Sequence, residues 1–230
     1  MSILEFLGPR LNQLRYLGVD VSEAVDVARD RFREKNLKGS FMQSDLLTLP
    51  IPENSLDVIF SEGVLHHTDS TEKAFRGLAK FLRPNGWFLF YVYRRKGPIR
   101  EFTDDYIRNK LQSMPPKEAW EAMIPLTRLG KALGELNLEL EIPESIELLN
   151  IPAGRIDLQR FFYWHVCKTF YRDDYSEDEM NHINFDWFAP RNAHRQSPEE
   201  VRSWCESEGF SVKREVVEEA GISIIARKNG

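Results

Sequence analysis

Three short apolar runs between residues 16 and 69, each closing on an acidic or turn residue, constrain this chain more than any other feature. The first, YLGVDV, closes on Asp20. The second, FMQSD, closes on Asp45. The third, LDVIFSEG at 56–63, leads into Val64, Leu65, His66 and His67. A helical pattern separates the first two: Ala24, Val25, Ala28 and Phe32 recur at helical spacing behind Ser22, a residue suited to cap a helix. Strands that alternate with helices imply a parallel sheet with right-handed crossovers. Ligands of such sheets sit beyond the carboxyl ends of the strands. Asp20, Asp45 and the 62–67 segment all fall at those ends. The expectation is one ligand crossing three loops, with Asp20 suited to a ribose diol and Asp45 to an amine donor.

Further along, Ser70 or Thr71 caps a helix that presents Ala74, Phe75, Leu78 and Leu82 on one face. Arg83-Pro84-Asn85-Gly86 reads as a tight turn. The run WFLFYVY at 87–93 has no polar alternation, which suits a strand buried on both faces. From Gly97 to about Asn181 the pattern is helical and irregular, with helical periodicity over 101–112, 116–136 and 152–170. This is longer than a simple crossover needs, so it reads as an insertion. NFDWFAP at 184–190 is expected to return to the sheet edge. Ser197-Pro198-Glu199-Glu200 starts a helix that Gly209 ends. The runs 211–217 and 221–228 are expected to form an antiparallel edge hairpin. The resulting division is 1–96 for the first part of the main domain, 97–183 for a helical insertion or lid, and 184–230 for the rest of the main domain.

The chain has 230 residues, 42% hydrophobic and 29% charged, with a net charge of −5. That balance is ordinary for a globular protein and gives no basic surface for a nucleic-acid partner. No apolar run approaches the roughly 20 residues that cross a bilayer, and no secretory signal is seen. Cys167 and Cys205 lie far apart without metal-ligand spacing. The expectation is a reduced, cytoplasmic setting with no metal and no membrane partner.

The order YLGVDVSEA, SDLLTLPIPENSLDVIFSEGVLHHTDS, AFRGLAKFLRPNGWFLFYVY and SPEEVRSWCESEGF resembles the class I S-adenosylmethionine-dependent methyltransferases, in particular the groups labelled type 11 and type 25. The resemblance covers 16–93 and 197–227. It implies an α/β fold: a Rossmann-like seven-stranded sheet, parallel except for the antiparallel C-terminal edge hairpin, with helices on both faces and a helical insertion as lid. It implies S-adenosylmethionine as cofactor and methyl transfer to a small-molecule acceptor. By the same resemblance, Asp20 and Val21 lie at the ribose, Asp45 and Leu46 at the adenine, and Ser61, Glu62 and Gly63 beside the methionine part. His66 and His67 match a frequent pair at the edge of the substrate pocket, and are the candidates for catalysis. Tyr93, Trp187, Arg191 and His194 are the candidates for the acceptor site. Arg191, His194 and Arg195 together suggest a grip on an anionic acceptor.

Each assignment has a plainer alternative. Asp20 can cap the following helix, Asp45 can be a turn residue, and one histidine of the pair can be structural. The aromatic runs can be core. The family's glycine-rich D-x-G-x-G-x-G loop has no counterpart before Tyr16. Three outcomes follow: residues 1–7 replace the strand that carries it, another chain fills the gap through dimerisation, or the chain is a shortened relative that binds cofactor poorly or not at all. The alternative function is therefore a non-catalytic binding or assembly protein on the same fold.

Overall fold

The first two apolar runs pair with each other, as the parallel pattern requires. In the computed structural model, which describes residues 8–230, β1 (Leu17–Asp20) lies parallel to β2 (Ser40–Gln43), with Leu17 opposite Ser40 and Asp20 opposite Gln43. Between them α1 (Ala24–Glu34) crosses over and buries Val25 and Phe32. The Phe32 ring lies 4.8 Å from that of Tyr16 and 4.9 Å from that of Phe41. Ser22 differs from the expected cap: its hydroxyl donates to Asp20 Oδ1 and accepts weakly from Ala24 N, so it ties the turn to the strand end.

The third run is β3 (Leu56–Ser61), followed by α2 (Thr71–Ala79), whose first turn is capped by Ser70, and by β4 (Leu82–Arg94). β3 and β4 are parallel. Leu56 faces Leu82, yet Val58 already faces Trp87, so Arg83 to Gly86 loops out of the strand, with Asn85 at a φ of 67°.

Residues 98–188 follow as α3 (Pro98–Leu111), α4 (Pro116–Glu135), the antiparallel pair β5 (Glu139–Ile142) and β6 (Gly154–Asp157), α5 (Leu158–His165) and α6 (Glu177–Phe188). The continuous helix expected over 152–170 is thus part strand, part helix. Gly154 takes a φ of 129°, and Asp157 caps α5 through Arg160 N. NFDWFAP does not return to the sheet; it is the end of α6. Asn184, Trp187 and Phe188 are buried there, and Trp187 and Phe188 pack with Leu111, Ala119 and Met123 of α3 and α4. The return is β7 (Arg195–Gln196), parallel to the end of β4. The chain closes with α7 (Pro198–Ser207), opened by a Ser197–Glu200 capping box, and the hairpin of β8 (Phe210–Val217) and β9 (Gly221–Lys228).

The main sheet runs β3, β4, β9, β8, with β7 beside the end of β4. One face is covered by α2 and α7. Phe75 stacks on Phe88 with centroids 5.2 Å apart and 4° between planes, and Phe90, Val92, Val201, Trp204, Ile222 and Ile224 complete that core. Burying each such side chain contributes about 1.5–3 kcal/mol. The opposite face is open: Val58 is 55% exposed and Phe60 48%. β4 is fully buried on one face, through Phe88, Phe90 and Val92, and half-buried on the other, through Leu89, Tyr91 and Tyr93, although its sequence does not alternate.

The seven-stranded sheet that the resemblance implied is divided. β1 and β2 form a sheet of their own, and among the described residues β3 has β4 as its only strand neighbour. Among the described residues no strand lies on the other side of β3, where Val58 and Phe60 are exposed. The possibility that residues 1–7 replace the strand of the glycine-rich loop lies outside the described residues. Among those residues no helix is long and apolar enough to cross a membrane.

Candidate active site

The carboxylates expected at the strand tips are at the tips. Asp20 ends β1, and its carbonyl accepts from Ser44 N at 2.9 Å, which places the start of the second loop directly beside it. Asp45 follows one residue later. Parallel pairing therefore puts both carboxylates at the same end of the β1–β2 pair. Each also has the plainer role weighed for it. Asp20 Oδ1 accepts from Ser22 N at 2.8 Å and from Ser22 Oγ at 2.7 Å. Asp45 Oδ1 accepts from Leu47 N at 2.8 Å, capping a 3-10 turn, Leu46–Thr48. In both, the bonds fall on Oδ1. Val21 is exposed, and its carbonyl accepts from Gln43 Nε2. Leu46 is half-buried and packs against the main core. Leu47 reaches α2, where a Cβ on Gly77 would stand 3.3 Å from its side chain. This turn holds the β1–β2 pair against the main sheet.

At the tip of β3, Ser61 is buried and its hydroxyl has no hydrogen-bond partner. Glu62 is exposed. Gly63 takes a φ of 71° with open space where a Cβ would point, so the backbone there is accessible and conformationally reserved for glycine.

The histidine pair divides into two roles. His66 is fully buried, and neither ring nitrogen has a partner. It stacks on Tyr93 with centroids 3.6 Å apart, and its carbonyl accepts from His194 N at 2.9 Å. Burial, with help from His67 and His194, pushes its pKa down to about 3. His66 is thus a neutral ring packed within the protein. His67 is half-buried and its Nδ1 lies 2.7 Å from the Asn192 carbonyl. Burial lowers its pKa as well, with Arg108 and His194 adding to the effect and the Asn192 carbonyl opposing it.

Tyr93, Trp187 and His194 gather around this pair. Tyr93 lies 4.6 Å from Trp187 and 5.6 Å from His67. Trp187 is fixed by a bond from its Nε1 to Asp104 Oδ2 at 2.8 Å, and Arg100 holds the other Asp104 oxygen. Arg108 donates to the Trp187 carbonyl. Arg191 stands apart as an exposed side chain. Arg195 does not join it in an anion grip: it is paired with Glu101 and Asp105 of α3 at 2.8 and 2.7 Å.

Sequence reasoning missed Arg100, Asp104 and Arg108, because charged side chains ordinarily face water. Their spacing of four residues along α3 was a legible signal: it puts all three on one helix face, shared with buried Leu111. Asn192 carried no such signal, since it acts through its backbone. Among the described residues, no group of three or more His, Cys, Asp or Glu is arranged to hold a metal ion.

Residues 2–90 match a protein family described as a methyltransferase domain. The chain is 27% identical over 150 residues to an uncharacterized methyltransferase, YcgJ, of Bacillus subtilis, covering 60% of this chain and 58% of that protein. It is 31% identical over 81 residues to the ubiquinone/menaquinone biosynthesis C-methyltransferase UbiE of Ectopseudomonas mendocina, over 34% of this chain and 32% of that one. The chain thus spans 58% of the Bacillus relative and 32% of the Ectopseudomonas one. A solved S-adenosylmethionine-dependent methyltransferase from Clostridium acetobutylicum shares the fold, with a TM-score of 0.51 and 13% identity over 99% of this chain and 80% of that one.

Proposed function

We propose that the chain is a class I S-adenosylmethionine-dependent methyltransferase, which binds S-adenosylmethionine and transfers a methyl group to a small-molecule acceptor. The observation that carries this reading is the placement of Asp20 and Asp45 at the same end of two adjacent parallel strands, Asp20 opposite Gln43 and Asp45 just beyond it. Asp20 would take the ribose hydroxyls with Val21 beside it. Asp45 would take the adenine amine, with Leu46 next to the ring. Ser61, Glu62 and Gly63 would meet the methionine part. The unpartnered Ser61 hydroxyl and the open backbone at Gly63 fit a polar ligand there.

The cofactor, when bound, supplies an electrophilic methyl on a sulfonium. The protein's part is to align an acceptor with that methyl and to exclude water. Tyr93 and Trp187 offer an aromatic wall, and His194 and Arg191 polar edges. Of the two catalytic candidates, half-buried His67 is the one able to reach an acceptor, and His66 supports it from beneath.

The second reading, a non-catalytic binding or assembly protein, is favoured by one observation: the exposed apolar side chains of Val58 and Phe60 on β3. Calorimetric titration with S-adenosylmethionine separates the two. Binding at micromolar to submillimolar cofactor supports the enzyme. No detectable binding at millimolar cofactor, in a sample folded by circular dichroism, overturns it.

A further inference from the structure

We infer that His67 is locked as the Nδ1–H tautomer with its Nε2 lone pair open, and that it takes the proton of an acceptor bearing an acidic O–H or N–H. This rests on the methyltransferase reading and extends it to the acceptor's chemistry.

The lock is geometric. A carbonyl oxygen has no hydrogen, so the 2.7 Å contact between His67 Nδ1 and the Asn192 carbonyl requires the hydrogen to be on Nδ1. A neutral imidazole then leaves Nε2 as a bare acceptor. Among the described residues Nε2 has no hydrogen-bond partner, and it is not among the sealed, unpartnered atoms that include both nitrogens of His66. The carbonyl is itself held in place. His194 N donates to the His66 carbonyl at 2.9 Å, and Asn192 Nδ2 donates to Asp69 Oδ1 at 3.1 Å. Three bonds thus join the turn 66–69 to the loop 192–194, some 125 residues later. Asn192 and Asp69 are positioning residues.

The surroundings keep the ring neutral. His66 from the same turn lies edge-on at 4.4 Å, and Tyr93 of β4 edge-on at 5.6 Å. Arg108 of α3 and His194 of the facing loop both disfavour a second positive charge. Asp69, the acid within the same turn, is engaged by Asn192. A base of this kind is weaker than an ordinary histidine, so it suits a proton that is acidic already or becomes acidic as the methyl is transferred. With the cofactor bound, its sulfonium would give the methyl to the acceptor's oxygen or nitrogen and keep the electron pair of the broken bond, and His67 Nε2 would take the acceptor's proton, so that the positive charge would end on the imidazolium. Phenols, enols and acidic N–H groups fit. Thioethers and tertiary amines have no proton to surrender and do not need this residue.

The test is long-range proton–nitrogen correlation NMR on protein labelled with ¹⁵N-histidine. His67 is assigned by loss of its signals in His67→Gln, with His67→Phe as a second variant. At pH 7 the expected spectrum has a protonated Nδ1 and an unprotonated Nε2. With saturating S-adenosylhomocysteine, millimolar 4-nitrophenol is expected to shift the Nε2 resonance, while millimolar dimethyl sulfide leaves it in place. A protonated Nε2 at pH 7, or an Nε2 resonance unmoved by the phenol, overturns the inference. Calorimetry with S-adenosylhomocysteine on the same sample reports separately on cofactor binding, so a failure of the methyltransferase reading is distinguishable.

Discussion

Tyr93 stacks on His66 with ring centroids 3.6 Å apart and 26° between the planes. The contact joins the end of β4 to the turn that follows β3. It also reaches α6, because the Tyr93 ring lies 4.6 Å from Trp187. One aromatic column therefore connects the strand tips to the helices laid over them, and makes the site depend on parts of the chain far apart in sequence.

Stability is expected to fall with acid because of His66. Its pKa is about 3 in the folded chain, against 6.5 for the exposed side chain. Between those values the unfolded chain binds a proton that the folded chain does not. The contribution is fully present above pH 6.5 and is lost as pH falls toward 3, amounting to about 2–3 kcal/mol between pH 6.5 and pH 4.5. Urea unfolding at the two pH values measures it, and His66→Phe is expected to show a smaller drop.

Asp20→Ala is expected to weaken S-adenosylhomocysteine binding by about one to two orders of magnitude, the range of a lost charge-assisted hydrogen bond. It also frees Ser22, which Asp20 holds through two bonds. Calorimetry reads the affinity. An unchanged affinity in Asp20→Ala shows that the carboxylate serves only the turn.

Asp104→Ala leaves the buried Arg100 guanidinium without its carboxylate and the Trp187 indole without its acceptor. Breaking a buried pair in this way costs about 3–5 kcal/mol. Equilibrium unfolding is expected to show that loss. Tryptophan fluorescence is expected to change as well, because Trp187 loses its fixed orientation against Tyr93.

Both thiols are expected to be inert in the folded protein. Burial pushes Cys167 and Cys205 up to about 12, so almost no thiolate exists at pH 8. An aromatic disulfide reagent is expected to label neither thiol until denaturant is added, and both afterwards. Fast labelling of either one without denaturant contradicts the packing described for it.

Ser197→Ala removes a cap that closes with Glu200 at both bonds. The expected loss is about 1 kcal/mol, read by thermal unfolding. It reports on α7, which covers the buried face of the sheet.

Local signals carried much of this structure. The apolar runs ending at Asp20 and Ser61, the helix behind Ser197 and the edge hairpin are all where pattern and capping residues place them. The acids at the strand tips were legible because parallel strands put their carboxyl ends on one side. The failures share a cause. WFLFYVY reads as doubly buried, yet on the second side of β4 Leu89, Tyr91 and Tyr93 are half-buried and Trp87 is exposed, because burial depends on what covers a face and not on the strand's own residues. NFDWFAP has the aromatic content of a strand, yet it is helix, because Trp187 and Phe188 are drawn into the core formed with α3 and α4.

The chain's own order of residues determined the elements, their direction and the carboxylates at their ends, since these follow from periodicity, capping and turn chemistry over a few neighbouring positions. Only the tertiary structure decided which histidine is sealed and which is open, that Arg195 is consumed by Glu101 and Asp105, and that an asparagine carbonyl sets the His67 tautomer. Those outcomes depend on groups brought together from 27 to 125 positions away, and a partner at that distance leaves no mark on the local pattern.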